Sequence, residues 1–265
     1  MVVSGHVRPV SHTDPSIHLE CPMNTRPLLL TLTTPLILVP LAGQPVLAEE
    51  AEEGWSGSAE FGASITTGNT DSSTIDGKFK LGYLTGPWTH RLRLETLQSS
   101  EEGEETANRT LGEFESNYAL SERDYLFGVL RGTHDEFSGY KYQSSIAAGY
   151  GRKLWVSDRG FWDAEIGPGL RVSETDTGER ETNAIARLSS GFEYRFSDFA
   201  KFSQDVTVLA GQDNTEIESI TGLTSSLTET LAMKLSYTVL HNTDVPADTE
   251  ETDTYTSINL VYKFD

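Results

Sequence analysis

From residue 55 onward, polar and apolar side chains alternate with a period of two, segment after segment. Near the C-terminus, Leu231, Met233, Leu235, Tyr237 and Val239 interleave with Ala232, Lys234, Ser236 and Thr238. After an acidic, proline-containing loop at 242–251, the chain returns with Ile258, Leu260, Tyr262 and Phe264 on one face. Ser257, Asn259, Val261 and Lys263 occupy the other. This alternation marks strands with one wet and one apolar face. The first strand follows the same rule: Trp55, Gly57, Ala59, Phe61, Ala63 and Ile65 against Ser56, Ser58, Glu60, Gly62, Ser64 and Thr66. A second sets Ile75, Phe79, Leu81 and Tyr83 against Asp76, Lys78 and Lys80. A third sets Trp88, Leu92 and Leu94 against Arg91, Arg93 and Glu95, and a fourth Phe114 and Tyr118 against Glu113, Glu115 and Asn117. Further strands are predicted at about 125–134, 142–154, 161–174, 182–196, 200–210, 216–227, 231–241 and 252–264, twelve in all. Pro168 falls inside the seventh, where it cannot donate to a ladder, so a bulge or kink is expected there.

The links between strands alternate in kind. Short ones (85–87, 121–124, 197–199, 228–230) take turns with longer polar ones (68–73, 99–106, 135–141, 175–181, 211–215, 242–251). Strands of about ten residues, with short turns at one end and longer loops at the other, fit an antiparallel transmembrane β-barrel. The aromatics agree. Trp55, Trp88, Trp155 and Trp162 all fall next to the N-terminus or the short links, with Tyr83, Tyr118, Tyr125, Tyr194, Phe196, Phe199, Phe202, Tyr262 and Phe264 near the same end. A membrane-interface girdle reads this way, whereas a soluble core would scatter its tryptophans. We therefore predict an all-β fold, a closed antiparallel transmembrane barrel of about twelve strands. Its last, aromatic-ended strand is expected to pair with the first.

Composition narrows the class. Mean hydropathy is −0.36, and no uncharged run of about 18 apolar residues occurs beyond the N-terminal region, which argues against a helical membrane protein. Residues 23–48 read as a cleavable signal peptide. Arg26 lies in its basic start, 28–41 form an apolar core, and Val46-Leu47-Ala48 is the cleavage site. Residues 1–22 read as an over-extended or disordered start, 49–54 as a short periplasmic segment and 55–265 as the barrel. Cleavage after Ala48 leaves 217 residues (265 − 48) without cysteine, since Cys21 lies upstream. Disulfides, a Cys metal site and a thiol nucleophile are thereby excluded from the mature chain. A formal net charge of −20 opposes nucleic-acid binding.

Several stretches resemble a known family. They are 67–72 (Thr-Gly-Asn-Thr-Asp-Ser), 118–125 (Tyr-Ala-Leu-Ser-Glu-Arg-Asp-Tyr), Tyr150-Gly151-Arg152 with Gly167-Pro168-Gly169, and 227–232 (Leu-Thr-Glu-Thr-Leu-Ala) with His241-Asn242. Together they are similar to the Gram-negative salt-induced outer-membrane proteins (YdiY-like), a domain of unknown function. The resemblance covers about 55–264. It implies an outer-membrane barrel and a link to salt or osmotic stress, and carries over no catalytic or binding residues. One departure is that Phe264, the aromatic expected to serve in assembly, is penultimate rather than terminal.

The face opposite the apolar one supplies the candidate functional residues. The lumen-facing charges are expected to be Glu60, Lys78, Lys80, Arg91, Arg93, Glu113, Glu115, Glu165, Arg171, Arg187, Arg195 and Lys234, with Asp76, Glu95, Arg109, Asp163, Glu193, Lys201, Asp205 and Lys263 beside them. The signs nearly balance, which points to cross-strand ion pairs stiffening a solvated interior rather than a single-sign filter. The negative surplus falls in the loops (101–105, 174–181, 244–253). There it supports solubility, or could draw Mg²⁺ or Ca²⁺ as a bridge to lipopolysaccharide. No metal or cofactor motif is present, and no cofactor is expected. His134 and His241, near the longer loops with Asp135, Ser138 and Asn242, are the only candidates for a lipid-modifying activity. They read more simply as interface residues. The function expected is therefore non-enzymatic: a narrow pore or envelope component in the outer membrane. Its partners are outer-membrane lipid, lipopolysaccharide and the barrel-assembly machinery. The alternatives are a binding role for the acidic loops and, more remotely, a lipid-modifying enzyme.

Overall fold

A computed structural model describes residues 53–66, 72–138, 140–175, 177–245 and 250–264. The expected signal peptide at 23–48, its cleavage site, residues 1–22 and the 67–71 turn lie outside the described residues, as do Asp176 and Asp248. The strands are β1 (Gly54–Thr66), β2 (Ser72–Thr85), β3 (Trp88–Glu101), β4 (Glu104–Ala119), β5 (Asp124–Asp135) and β6 (Tyr140–Ser157). They continue as β7 (Gly160–Thr175), β8 (Arg180–Arg195), β9 (Ala200–Gly211), β10 (Thr215–Ser226), β11 (Leu231–Asn242) and β12 (Thr252–Phe264). Every strand pairs antiparallel with its sequence neighbours, and β1 pairs with β12 to close the barrel.

The polarity is inverted relative to a soluble barrel. Phe61, Leu94, Phe114, Leu130, Ile146, Ile166, Leu188, Leu223, Leu235 and Leu260 are exposed on the outer wall, while Glu60, Asp76, Glu115, Arg131, Arg187, Glu218, Lys234 and Asn259 are buried inside. Only lipid around the wall makes that arrangement favourable, since apolar surface belongs out of water and a closed ladder leaves no backbone edge. The fold is thus a transmembrane β-barrel of twelve strands.

Several expectations need correction. Strands run from 12 to 18 residues rather than about ten. Their ends project beyond the apolar belt, where both faces are polar and alternation fades. The stretch 99–106, expected as a longer loop, is mostly strand. β3 and β4 meet at a two-residue turn, Glu102 (φ 52) and Gly103 (φ 84). Positive φ at both central residues matches the twist of a tight hairpin. Pro168 produces no bulge. It faces Ala186 on β8, and the register with β6 is the same on either side of it. The close approach is absorbed by Gly149 and Gly167, where a Cβ would lie 2.2 Å from Ile166 O and Ala148 O respectively.

Among the described residues the closing seam is the shortest ladder: Gly57 to Gly62 of β1 pair with Asn259 to Phe264 of β12. Two side-chain braces cross it. Lys234 on β11 reaches over β12 to Glu60 on β1 (3.0 Å to Oε2), and Asn259 on β12 donates over β1 to Asp76 on β2. The second brace needs Gly62 beneath it, because a Cβ there would sit 2.2 Å from Asp76 Oδ1. The register gives a direct test, since paired Cα atoms about 4.5–5.5 Å apart admit a disulfide. Residues 49–265 hold no cysteine, so in that segment the Ser58→Cys/Lys263→Cys double variant should cross-link under mild oxidation and run as a closed species on non-reducing gels. Failure to cross-link would contradict the seam.

Candidate functional site

The strands carry their inward charges to one place. At the centre of the loop half of the lumen is Glu218 of β10. Its Oε1 accepts from Arg93 Nη2 at 2.7 Å, and its Oε2 from Arg109 Nη2 at 3.0 Å and Arg131 Nη2 at 2.9 Å. These arginines stand on β3, β4 and β5. β4 lies six strands from β10 in either direction round the ring, so the contacts run wall to wall through the middle of the barrel. Further carboxylates neutralise the guanidinium groups. Arg131 also bonds Glu216 (3.0 Å) and Glu113 (3.4 Å), Arg93 bonds Glu95 (2.8 Å), and Arg109 lies 3.8 Å from Asp135. The Glu218 and Arg131 side chains are only 4% and 5% exposed. So little exposure means that these two side chains are packed away from lumen water by their neighbours. Cavities of about 30 and 40 Å³ flank Arg109, the first also lined by Asp135, Tyr140 and Glu216, the second by Asp76, Lys78 and Tyr255. Each has room for a water or two.

A second group occupies the half nearer the short turns. Arg187 of β8 bonds Glu165 of β7 and lies 3.6 Å from Glu115 of β4, again across the lumen. Glu115 also accepts from Arg91 (2.7 Å) and Asn117 (2.9 Å), and Glu165 from the Tyr125 hydroxyl (3.0 Å). The Arg187 guanidinium sits 5.1 Å over the Phe127 ring. Phe127 belongs to a buried apolar cluster with Tyr125, Val129 and Ala147. The interior is therefore partly apolar, and Tyr125 is inward-facing rather than part of the girdle as expected.

The expected lumen residues otherwise fall as follows. Glu60 and Lys234 brace the seam, Lys78 lies 4.0 Å from Glu95, and Lys80 is set opposite Ser58 and Arg93. Arg171 is buried without a carboxylate partner, while Arg195 bonds the Asp158 carbonyl at a short turn and stays out of the network. Glu216 and Glu218 stand outside the expected set. Ile217 and Ile220 put an aliphatic side chain on each face of β10, so alternation does not declare its inner side. Of the girdle, Trp55 pairs with Tyr83 (ring centroids 4.4 Å apart), Trp88 with Tyr118 (4.9 Å), Tyr194 with Phe196 (5.3 Å) and Tyr262 with Phe264 (6.3 Å). Trp155 faces Trp162 across the β6–β7 turn. Of the histidines, His90 stacks between Trp88 and Phe114, His134 bonds the Lys141 carbonyl, and His241 bonds Thr252 (2.8 Å). Among the described residues, no three His, Cys, Asp or Glu side chains gather so as to hold a metal ion.

Fold and site together define a transmembrane β-barrel whose lumen is crossed by ion pairs. The chain belongs to the family described as protein of unknown function, DUF481, whose model matches residues 59–264. It is 27% identical over 213 residues to the uncharacterized protein YdiY of Escherichia coli (strain K12), covering 80% of this chain and 84% of that protein. Among solved structures it is similar to the NanC porin (TM-score 0.49, 11% identity, 80% of this chain and 100% of that one). It is also similar to the COG4313 outer membrane channel from Pseudomonas putida F1 (TM-score 0.48, 11% identity, 84% and 100%).

Removing one partner of a buried ion pair strands the others in a poorly solvated place, at a cost of about 3–5 kcal/mol. Glu218→Gln should therefore lower the unfolding free energy in lipid by about that much, read from urea titrations of tryptophan fluorescence. Glu181→Gln, at an exposed strand end, should change it little.

Proposed function

We propose that this chain is a non-enzymatic outer-membrane barrel of a Gram-negative bacterium, a narrow pore latched shut by the Glu218 cluster. The carrying observation is that Glu218 bonds Arg93, Arg109 and Arg131 from the opposite wall. Apolar side chains would plug a lumen more cheaply, because desolvating charges costs several kcal/mol per ion. Ion pairs, unlike an aliphatic plug, come apart into groups that water and ions solvate. Opening the latch would therefore leave a hydrated path lined by the arginines with Glu95, Glu113 and Asp135 on one side and by Glu216 and Glu218 on the other.

The outer-membrane location follows from the barrel form and its outer apolar belt, which only closed barrels and helices can present to lipid. Outer-membrane lipid, lipopolysaccharide and the assembly machinery are the partners this location entails. The resemblance to salt-induced outer-membrane proteins supports reading the pore as part of a salt or osmotic response. Screening at high salt acts on the exposed acidic loops far more than on the buried cluster. Salt should thus alter access to the latch before it alters the latch itself.

Planar-bilayer recording tests the reading. The wild-type barrel should be nearly silent, with rare small openings. Glu218→Ala, with its folding checked by heat-modifiable gel migration, should conduct several-fold more. A folded Glu218→Ala barrel as silent as the wild type would make the cluster a permanent strut and the protein an envelope component without a pore.

A further inference from the structure

Four arginines are buried among the described residues: Arg109, Arg131, Arg171 and Arg187. Three of them lie against carboxylates. Arg171 does not. Its side chain points inward from β7, its relative exposure is 3%, and its Nη2 donates to the Asn214 carbonyl at 2.8 Å. Its Nε and Nη1 are buried and have no hydrogen-bond partner among the described residues. A guanidinium stays charged at any relevant pH, so it cannot shed its proton to escape. A buried charge left uncompensated is among the most costly things a fold can contain.

The surroundings are built around this group. Gly211 of β9 leaves it space, since a Cβ there would lie 3.1 Å from Arg171 Nη2 and 2.8 Å from Asn214 O. Ile185 of β8, itself buried, closes the same corner, with its Cγ2 3.6 Å from that point. Asn214 is held on both sides. Its carbonyl accepts from Gly211 N (3.1 Å), its Nδ2 donates to Asn242 Oδ1 (3.0 Å), and its Oδ1 accepts from Thr243 N (3.0 Å) and Asp244 N (3.3 Å). The guanidinium is thus locked to the β9–β10 link, and through it to the start of the β11–β12 loop, at the loop-end mouth.

We propose that Arg171 is a binding site for a compact anion, either a carboxylate group or a small inorganic oxyanion, taken up through the loop-end mouth. Directed N–H groups in a low-dielectric corner give a charge-assisted hydrogen bond its greatest strength. The near-complete enclosure admits only small ligands. Glu181, Asp213 and Asp244 near this mouth disfavour polyanions. Among the described residues Arg171 shares no hydrogen bond or ion pair with the Glu218 latch, and the test reads its occupancy from stability rather than from conductance.

The test uses the folded full-length mature barrel in detergent at constant ionic strength, with a bulky sulfonate buffer as the balancing anion. Thermal unfolding is followed against acetate and, separately, phosphate. Wild type should be stabilised saturably by at least one of them: acetate alone identifies a carboxylate ligand, phosphate alone an inorganic oxyanion, and both the shared chemistry. Arg171→Met should abolish the saturable response, whereas Arg180→Met, at an exposed position on the same end, should keep it. Should Arg171→Met not fold, Arg171→Lys serves instead. It keeps the charge but loses the trigonal donor array, so the midpoint should weaken by roughly tenfold. No saturable response in wild type, or an unchanged one in the Arg171 variant, overturns the proposal.

Discussion

Backbone pairing at the seam decides whether the rest of the molecule is possible. In hydrocarbon, an unpaired N–H or C=O has no water to turn to, so a sheet can stay there only if its first strand finds its last. Among the described residues β1 meets β12 over a shorter stretch than it meets β2, with which it pairs from end to end. The side chains make up part of the difference. Lys234–Glu60 and Asn259–Asp76 each skip one strand, so β11, β12, β1 and β2 are joined by bonds independent of the ladder. Both braces lie on the lumen side, where polar groups are affordable only because the closed wall has already excluded lipid.

That closed wall also sets the terms for the interior. Twelve strands enclose more volume than one layer of small side chains can fill. Long arginines and glutamates meeting from opposite walls fill it here. They carry their own neutralisation, as Glu218 is shared by three guanidinium groups and Arg131 by three carboxylates. Such a cluster is a poor source of net stability but a strict one in geometry, because each member fails if its neighbour moves. The apolar patch of Phe127, Val129 and Ala147 then gives Arg187 a face to lie on and keeps the second group of charges apart from the first.

Wall and lumen were not equally legible in the sequence. Alternation with period two identified twelve strands and their outward face, because lipid enforces that pattern locally, residue by residue. It also placed Glu60, Arg187 and Lys234 inside. It did not reveal that β3 and β4 run on to a two-residue turn. Beyond the membrane nothing enforces alternation, and a Glu at positive φ looks like any other acidic residue. Nor did it assign Glu216 and Glu218, since an isoleucine on each face hides the polarity of β10. Tyr125 was misplaced for the opposite reason: an aromatic next to a short turn reads as girdle, and only its bond to Glu165 shows it turned inward. Which charge meets which across the lumen is set by strand tilt and stagger, quantities with no local signature.

These limits locate where members of such a fold can differ. The wall is constrained at every second residue by lipid and at every residue by the ladder, so variation there is confined to one apolar side chain for another. The lumen charges constrain one another but not the wall, and the loops are constrained by neither. Asn214 belongs to both free regions at once: its carbonyl receives Arg171 from the lumen and its side chain orders the β11–β12 loop. A change of charge or position at Arg171 therefore reaches the mouth without passing through the wall. The converse runs through the same residue, since displacing the β9–β10 link at Asn214 removes the only hydrogen bond Arg171 makes among the described residues. Of the four arginines buried among the described residues, the one left without a carboxylate is thus the one held by the β9–β10 link, while the other three lie against carboxylates in the lumen.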